Sequence, residues 1–165
     1  MLTLGPFLVA KDGTLCPRAN GIRPVLRFAW RGRGCVAEVT PQGLRLTALV
    51  GRIPSTIERR GNRIAVMQAV SAMRGGPSRG LSVHLLPDHR LLLRRQACAA
   101  SDGAPPDSAP PDSAPPEASP LVATSLVTEM VRFVFALDPF LDQLDAAGAP
   151  APMTMRSGAM ESLRA

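Results

Sequence analysis

Three short runs with a period of two, joined by very short turns, constrain this chain most. Val25-Leu26-Arg27-Phe28-Ala29-Trp30 places Leu26, Phe28 and Trp30 on one face and Arg27 on the other. Cys35 to Thr40 follows the turn Arg31-Gly32-Arg33-Gly34. Leu44 to Val50 follows Pro41-Gln42-Gly43, with Leu44, Leu46, Ala48 and Val50 in register. Half-apolar runs of this length between glycine-containing turns form an antiparallel meander. Ahead of them, Leu4 to Ala10 reads as one short strand ending at Asp12-Gly13, a hairpin-type signal.

The period then lengthens. Ser55 and Glu58 have the spacing of a capping box, in which each side chain satisfies an otherwise unpaired backbone donor. Ile57, Ile64, Met67, Val70 and Met73 follow at helical spacing until Gly75-Gly76-Pro77 stops the chain. Gly61 costs such a helix about 1 kcal/mol relative to Ala, so an irregular first turn is expected. Gly80 to Leu86 and Arg90 to Arg95 then form two strands around Pro87-Asp88-His89.

From Ala104 the pentamer Ala-Pro-Pro-Asp-Ser repeats, then decays into Ala114-Pro-Pro-Glu-Ala118. Paired prolines at that interval block helix and ladder alike, and the composition cannot bury apolar surface. The expectation is a polyproline-like, disordered spacer. Beyond it, Ser119-Pro120 offers an N-cap with Pro at the first helical position. Leu126, Met130, Phe133, Val134, Leu137, Leu141 and Leu144 then trace a helical stripe, which Pro139 should kink or restart. The order is therefore β-βββ-α-ββ-α, an α+β fold with an antiparallel sheet (meander plus hairpin) and two main helices. Residues 1–98 hold the strands, central helix and hairpin, and 99–119 the insert. Residues 120–147 hold the last helix of the same domain, and 148–165 a flexible tail.

Charge is unevenly placed. Residues 1–100 hold 16 basic side chains against four acidic ones, a balance of +12, and residues 101–165 hold three against nine, a balance of −6. Lys11 is the one lysine. Such asymmetry raises nucleic acid or an acidic partner, and it equally lets the halves neutralise each other. The arginines fall on a turn (Arg31, Arg33), at the helix start (Arg59, Arg60, Arg63) and beside the hairpin (Arg90, Arg94, Arg95). With six aromatics and no Tyr, platforms for stacking bases are scarce. Nucleic-acid binding is disfavoured and stays as the alternative.

No catalytic set emerges. Cys16, Cys35 and Cys98 are odd in number and lack metal-ligand spacing, so neither zinc nor a disulfide framework is expected, and the compartment should be reducing. His84 and His89 flank one turn. Asp138, Asp142 and Asp145 share a helix face and read as solvated. Met1 to Ala10 lacks the basic start of a signal peptide, and no apolar run reaches spanning length. The expectation is a cytoplasmic, cofactor-free protein that is not an enzyme and does not insert in a membrane.

The element order, with Leu44-Arg-Leu-Thr-Ala-Leu-Val-Gly51-Arg-Ile-Pro54 leading into the capped helix and Arg90-Leu-Leu-Leu-Arg94 behind it, resembles the type III secretion chaperone-like family. The closing helix with Phe133-Val134 and Phe140-Leu141 adds to that likeness, which covers residues 4–145 and is to the class I, Tir-chaperone type. A YbjN-like domain is similar in fold. The resemblance implies a homodimer that binds the N-terminal segment of a secreted effector and holds it secretion-competent. It implies dimer contacts at Ile57, Ile64, Met67 and Val70, and client contacts at Phe7, Val25, Trp30 and Leu49.

Overall fold

The computed structural model describes residues 2–18, 23–58, 60–75, 80–97 and 121–149. It is an α+β fold with two antiparallel sheets and two helices. The expected meander forms from β4 (Val25–Trp30), β5 (Arg33–Thr40) and β6 (Gly43–Arg52), with Trp30 opposite Arg33 and Thr40 opposite Gly43. Between β4 and β5 only Arg31 and Gly32 turn the chain, at φ 47° and 72°. Two left-handed residues make the turn whose twist matches that of the strands, and the first of them is not glycine. The later hairpin, β7 (Leu81–Leu85) and β8 (Arg90–Ala97), joins through β8, giving the strand order β4-β5-β6-β8-β7.

The N-terminal stretch departs from the expected single strand. It is a second sheet of β1 (Leu2–Leu4), β2 (Phe7–Val9) and β3 (Leu15–Pro17). An unbroken apolar run hides the reversal at Gly5-Pro6, where Gly5 stands at φ 55°. The second reversal lies at the expected Asp12-Gly13. There the Asp12 carboxylate accepts from the Thr14 amide at 3.0 Å and the Thr14 hydroxyl at 2.9 Å.

The capping box closes, with the Ser55 amide donating to Glu58 Oε2 at 2.8 Å and the Glu58 amide to Ser55 Oγ at 3.4 Å. Regular helix nevertheless starts later, as α1 (Arg60–Gly75). Both terminal nitrogens of Arg52, at the end of β6, hold the Glu58 carboxylate. The box is thereby drawn into a separate turn, and Ile57 stands outside the helix.

The second helix, α2 (Ala123–Ala146), starts after the expected Ser119-Pro120, which lies outside the described residues. Its N-cap is Val122, which offers no side-chain acceptor. Backbone supplies what a cap would. The Leu15 amide donates to the Leu121 carbonyl and the Ala123 amide to the Gly13 carbonyl, each at 2.9 Å. Leu121 and Val122 are thus drawn into extended pairing with β3, which delays the helix. The helix runs through Pro139 without a restart. It ends in a Schellman motif, with Gly148 at φ 70°, its amide on Asp145 O, and the Ala149 amide on Leu144 O.

Leu126, Phe133, Leu137, Leu141 and Leu144 are buried, as their stripe implied, and Ala136 and Phe140 join them. They lie against Leu44, Leu46, Ala48 and Val50 of β6 and Leu91 and Leu93 of β8 in one core. The helix α2 crosses β6 and β8, while α1 lies beside it over β7. Both helices therefore cover the same face of the five-stranded sheet. The insert at 99–119 and the tail from Pro150 lie outside the described residues.

Candidate protein-interaction surface

The acidic face of α2, expected to be solvated, instead grips the β4–β5 turn. Asp138 Oδ1 accepts from the Trp30 indole at 2.8 Å, and Asp142 Oδ1 accepts from Arg31 Nη1 at 2.7 Å. Asp145 takes Arg31 Nη2 at 3.4 Å and Arg33 Nη2 at 2.5 Å. Arg33 is 5% exposed, so its charge depends on that carboxylate in a way that an exposed pair does not. The spacing of the aspartates gave the face correctly. Their partners lie more than a hundred residues away, beyond the reach of local pattern.

The other arginines are mostly engaged as well. Glu58 holds Arg52 and Asp88 holds Arg90, while Glu129 faces Arg95 at 3.5 Å and Arg132 at 2.7 Å. Arg63 donates to the Pro54 carbonyl at 2.7 Å. Among the arginines that raised nucleic acid, Arg94 has no carboxylate within ion-pair distance among the described residues. Between the halves of the chain, Arg31, Arg33 and Arg95 meet Asp138, Asp142, Asp145 and Glu129.

The candidate reactive groups are quiet. Cys35 is buried, and burial pushes its thiol up to about 11, leaving it protonated at neutral pH. Cys16 is exposed on β3, and Cys98 lies outside the described residues. His84 Nε2 lies 3.0 Å from Ser82 Oγ, which is also 3.2 Å from the Arg94 carbonyl. A serine hydroxyl has one proton, and where it donates to that carbonyl it accepts from the imidazole, the reverse of an activated nucleophile. His89 sits in its turn at φ 62°.

The residues implied as dimer and client contacts separate into three groups. Ile57, Ile64 and Met67 are 96%, 56% and 47% exposed. Val70 faces inward with Val66 and Met73 and belongs to the core, because it falls on the inner face of α1. On β7, the strand that α1 overlies, Leu85 is 46% exposed. Phe7 is core too, sealed between the small sheet and the rest. Trp30 is half-buried on the helix-covered face, its indole held by Asp138. Val25 and Leu49 lie on the opposite, helix-free face. The eight residues thus form no single surface, and Phe7, Trp30 and Val70 are not free to meet a partner.

A second apolar stripe on α2 lies outside the expected one: Val127, Val131 and Phe135 are 49%, 45% and 65% exposed. Its spacing of four is a helical signal, but it runs beside the longer buried stripe from Leu126 to Leu144, and sequence pattern alone does not separate the two. No helix among the described residues is long and apolar enough to cross a membrane. No family model, curated protein or solved structure matches the chain.

Proposed function

We propose that this protein is a non-enzymatic chaperone of the type III secretion kind, acting in the cytoplasm as a homodimer that binds the N-terminal segment of an effector and holds it secretion-competent. One observation carries the reading: Ile64 and Met67, three residues apart, stand exposed on one flank of α1. That is the helix to which the resemblance gives dimerisation. Large apolar side chains sharing one exposed flank of a helix mark an interface. Val25 and Leu49, on the helix-free face, are the client contacts in this reading.

Size-exclusion chromatography with light scattering tests the dimer. The wild-type chain should run at twice its 17.4 kDa mass, and the Ile64→Glu/Met67→Glu variant should run as a folded monomer. A wild-type monomer at micromolar concentration would overturn the reading. Recovery of a larger protein through its N-terminal region, on co-purification from the native host, would support the client half.

A further inference from the structure

With both helices on one side, the other face of the five-stranded sheet is bare among the described residues. Arg27 pairs with Val36, Val36 with Thr47, and Thr47 with Arg94, so the four stand in one row across β4, β5, β6 and β8. Three strand spacings separate the two arginines, about 14 Å. Val36 and Thr47 lie between them, and Val25, Leu49 and Leu92 beside them, with the four apolar side chains all half-buried. Above Gly34 a Cβ would meet no atom within 4 Å, so the floor is open to a second layer.

The charge on this face is one-sided. Among the described residues Arg27 and Arg94 have no carboxylate within ion-pair distance. Glu38, on the same face, is shared by Arg23 at 3.9 Å and Arg45 at 3.6 Å. Arg90, at the far end of β8, is held by Asp88, so Arg27 and Arg94 are the two arginines of the row left for a partner.

We infer that this face docks an amphipathic helix of a partner protein, its apolar stripe on Val36, Leu49 and Leu92 and its acidic flanks on Arg27 and Arg94. A helix about 10–12 Å across fits between two guanidinium stems standing about 14 Å apart. Covering a sheet face with a helix is also how such layers normally complete themselves. Charge complementarity selects an acidic partner and disfavours a second copy of this basic face. Phe28 and Trp30 both point to the opposite side, so among the described residues His84 is the one ring this face offers for stacking, which disfavours nucleic acid. The inference rests on the client-holding reading and gives the client its chemistry.

The test is a fluorescence-anisotropy titration of the full chain. The probes are a labelled amphipathic peptide with leucines at helical spacing and glutamates on both flanks, its lysine counterpart, and a DNA duplex of similar length. The glutamate peptide should bind best, Arg27→Ala/Arg94→Ala should weaken it about tenfold, and each exposed pair accounts for a few-fold. Arg27→Glu/Arg94→Glu should reverse the preference toward the lysine peptide, with thermal unfolding confirming that each variant is folded. Equal binding of both peptides, no response to the arginine variants, or tighter binding of DNA would each overturn the inference. Light scattering on the same samples reads the dimer separately, so a failed helix site and a failed chaperone reading give different results.

Discussion

Arg33, first residue of β5, and Asp145, in the last turn of α2, meet at 2.5 Å across 112 residues of sequence. The guanidinium is buried while the carboxylate is half-exposed, so loss of the acid leaves an uncompensated charge inside the protein. Asp145→Ala should therefore cost about 2–3 kcal/mol in urea unfolding, somewhat less than a fully buried pair. Asp142→Ala, which removes an exposed partner of Arg31, should cost no more than about 1 kcal/mol. Equal losses from both variants would refute this ranking.

Glu58 gives a pH signature. Its hydrogen bonds to Arg52, and then to the Ser55 amide, hold its carboxyl at about 2 against an ordinary 4.5. A pKa depressed in the folded state stabilises fully above the unfolded value and is lost as pH falls through the folded one. The melting temperature of the wild type should thus fall more steeply between pH 4.5 and about 2 than that of Glu58→Gln. Parallel curves would show that the Arg52–Glu58 pair contributes nothing.

The two described cysteines should differ in reactivity. Alkylation at pH 8 followed by mass spectrometry should modify Cys16 quickly and leave Cys35 untouched until denaturant is added, since Cys35 is buried with its thiol near 11. Rapid modification of Cys35 in the native protein would mean that the sheet core opens readily.

Deletion of Ala104 to Ala118 should leave the melting temperature nearly unchanged or slightly raised. Loop-closure entropy changes by only about 0.6 kcal/mol per doubling of length. A large loss on calorimetry would assign that segment a structural role.

Much of this fold was legible because its signals are local. Alternation between Val25 and Val50 carried strand, face and register together, since one face packs on helices and the other does not. Legibility failed where a distant contact decided the outcome. Ser55 and Glu58 form their box, yet Arg52 displaces the helix start, and the backbone of Gly13 and Leu15 sets where α2 begins. The interaction residues fared unevenly for the same reason. Helical spacing put Ile64 and Met67 on one flank, but only the packed core shows that Val70 has turned inward and that Phe7 is sealed.

The two anchors of α2, one on the small sheet and one on the β4–β5 turn, bear on how the protein is made. A nascent chain that has reached Ala97 carries every strand of both sheets but not the helix that covers Leu46, Leu91 and Leu93. Those side chains wait, facing water, while the ribosome adds the segment between. The interval before α2 arrives is therefore when this chain is most open to aggregation or to capture by another chaperone.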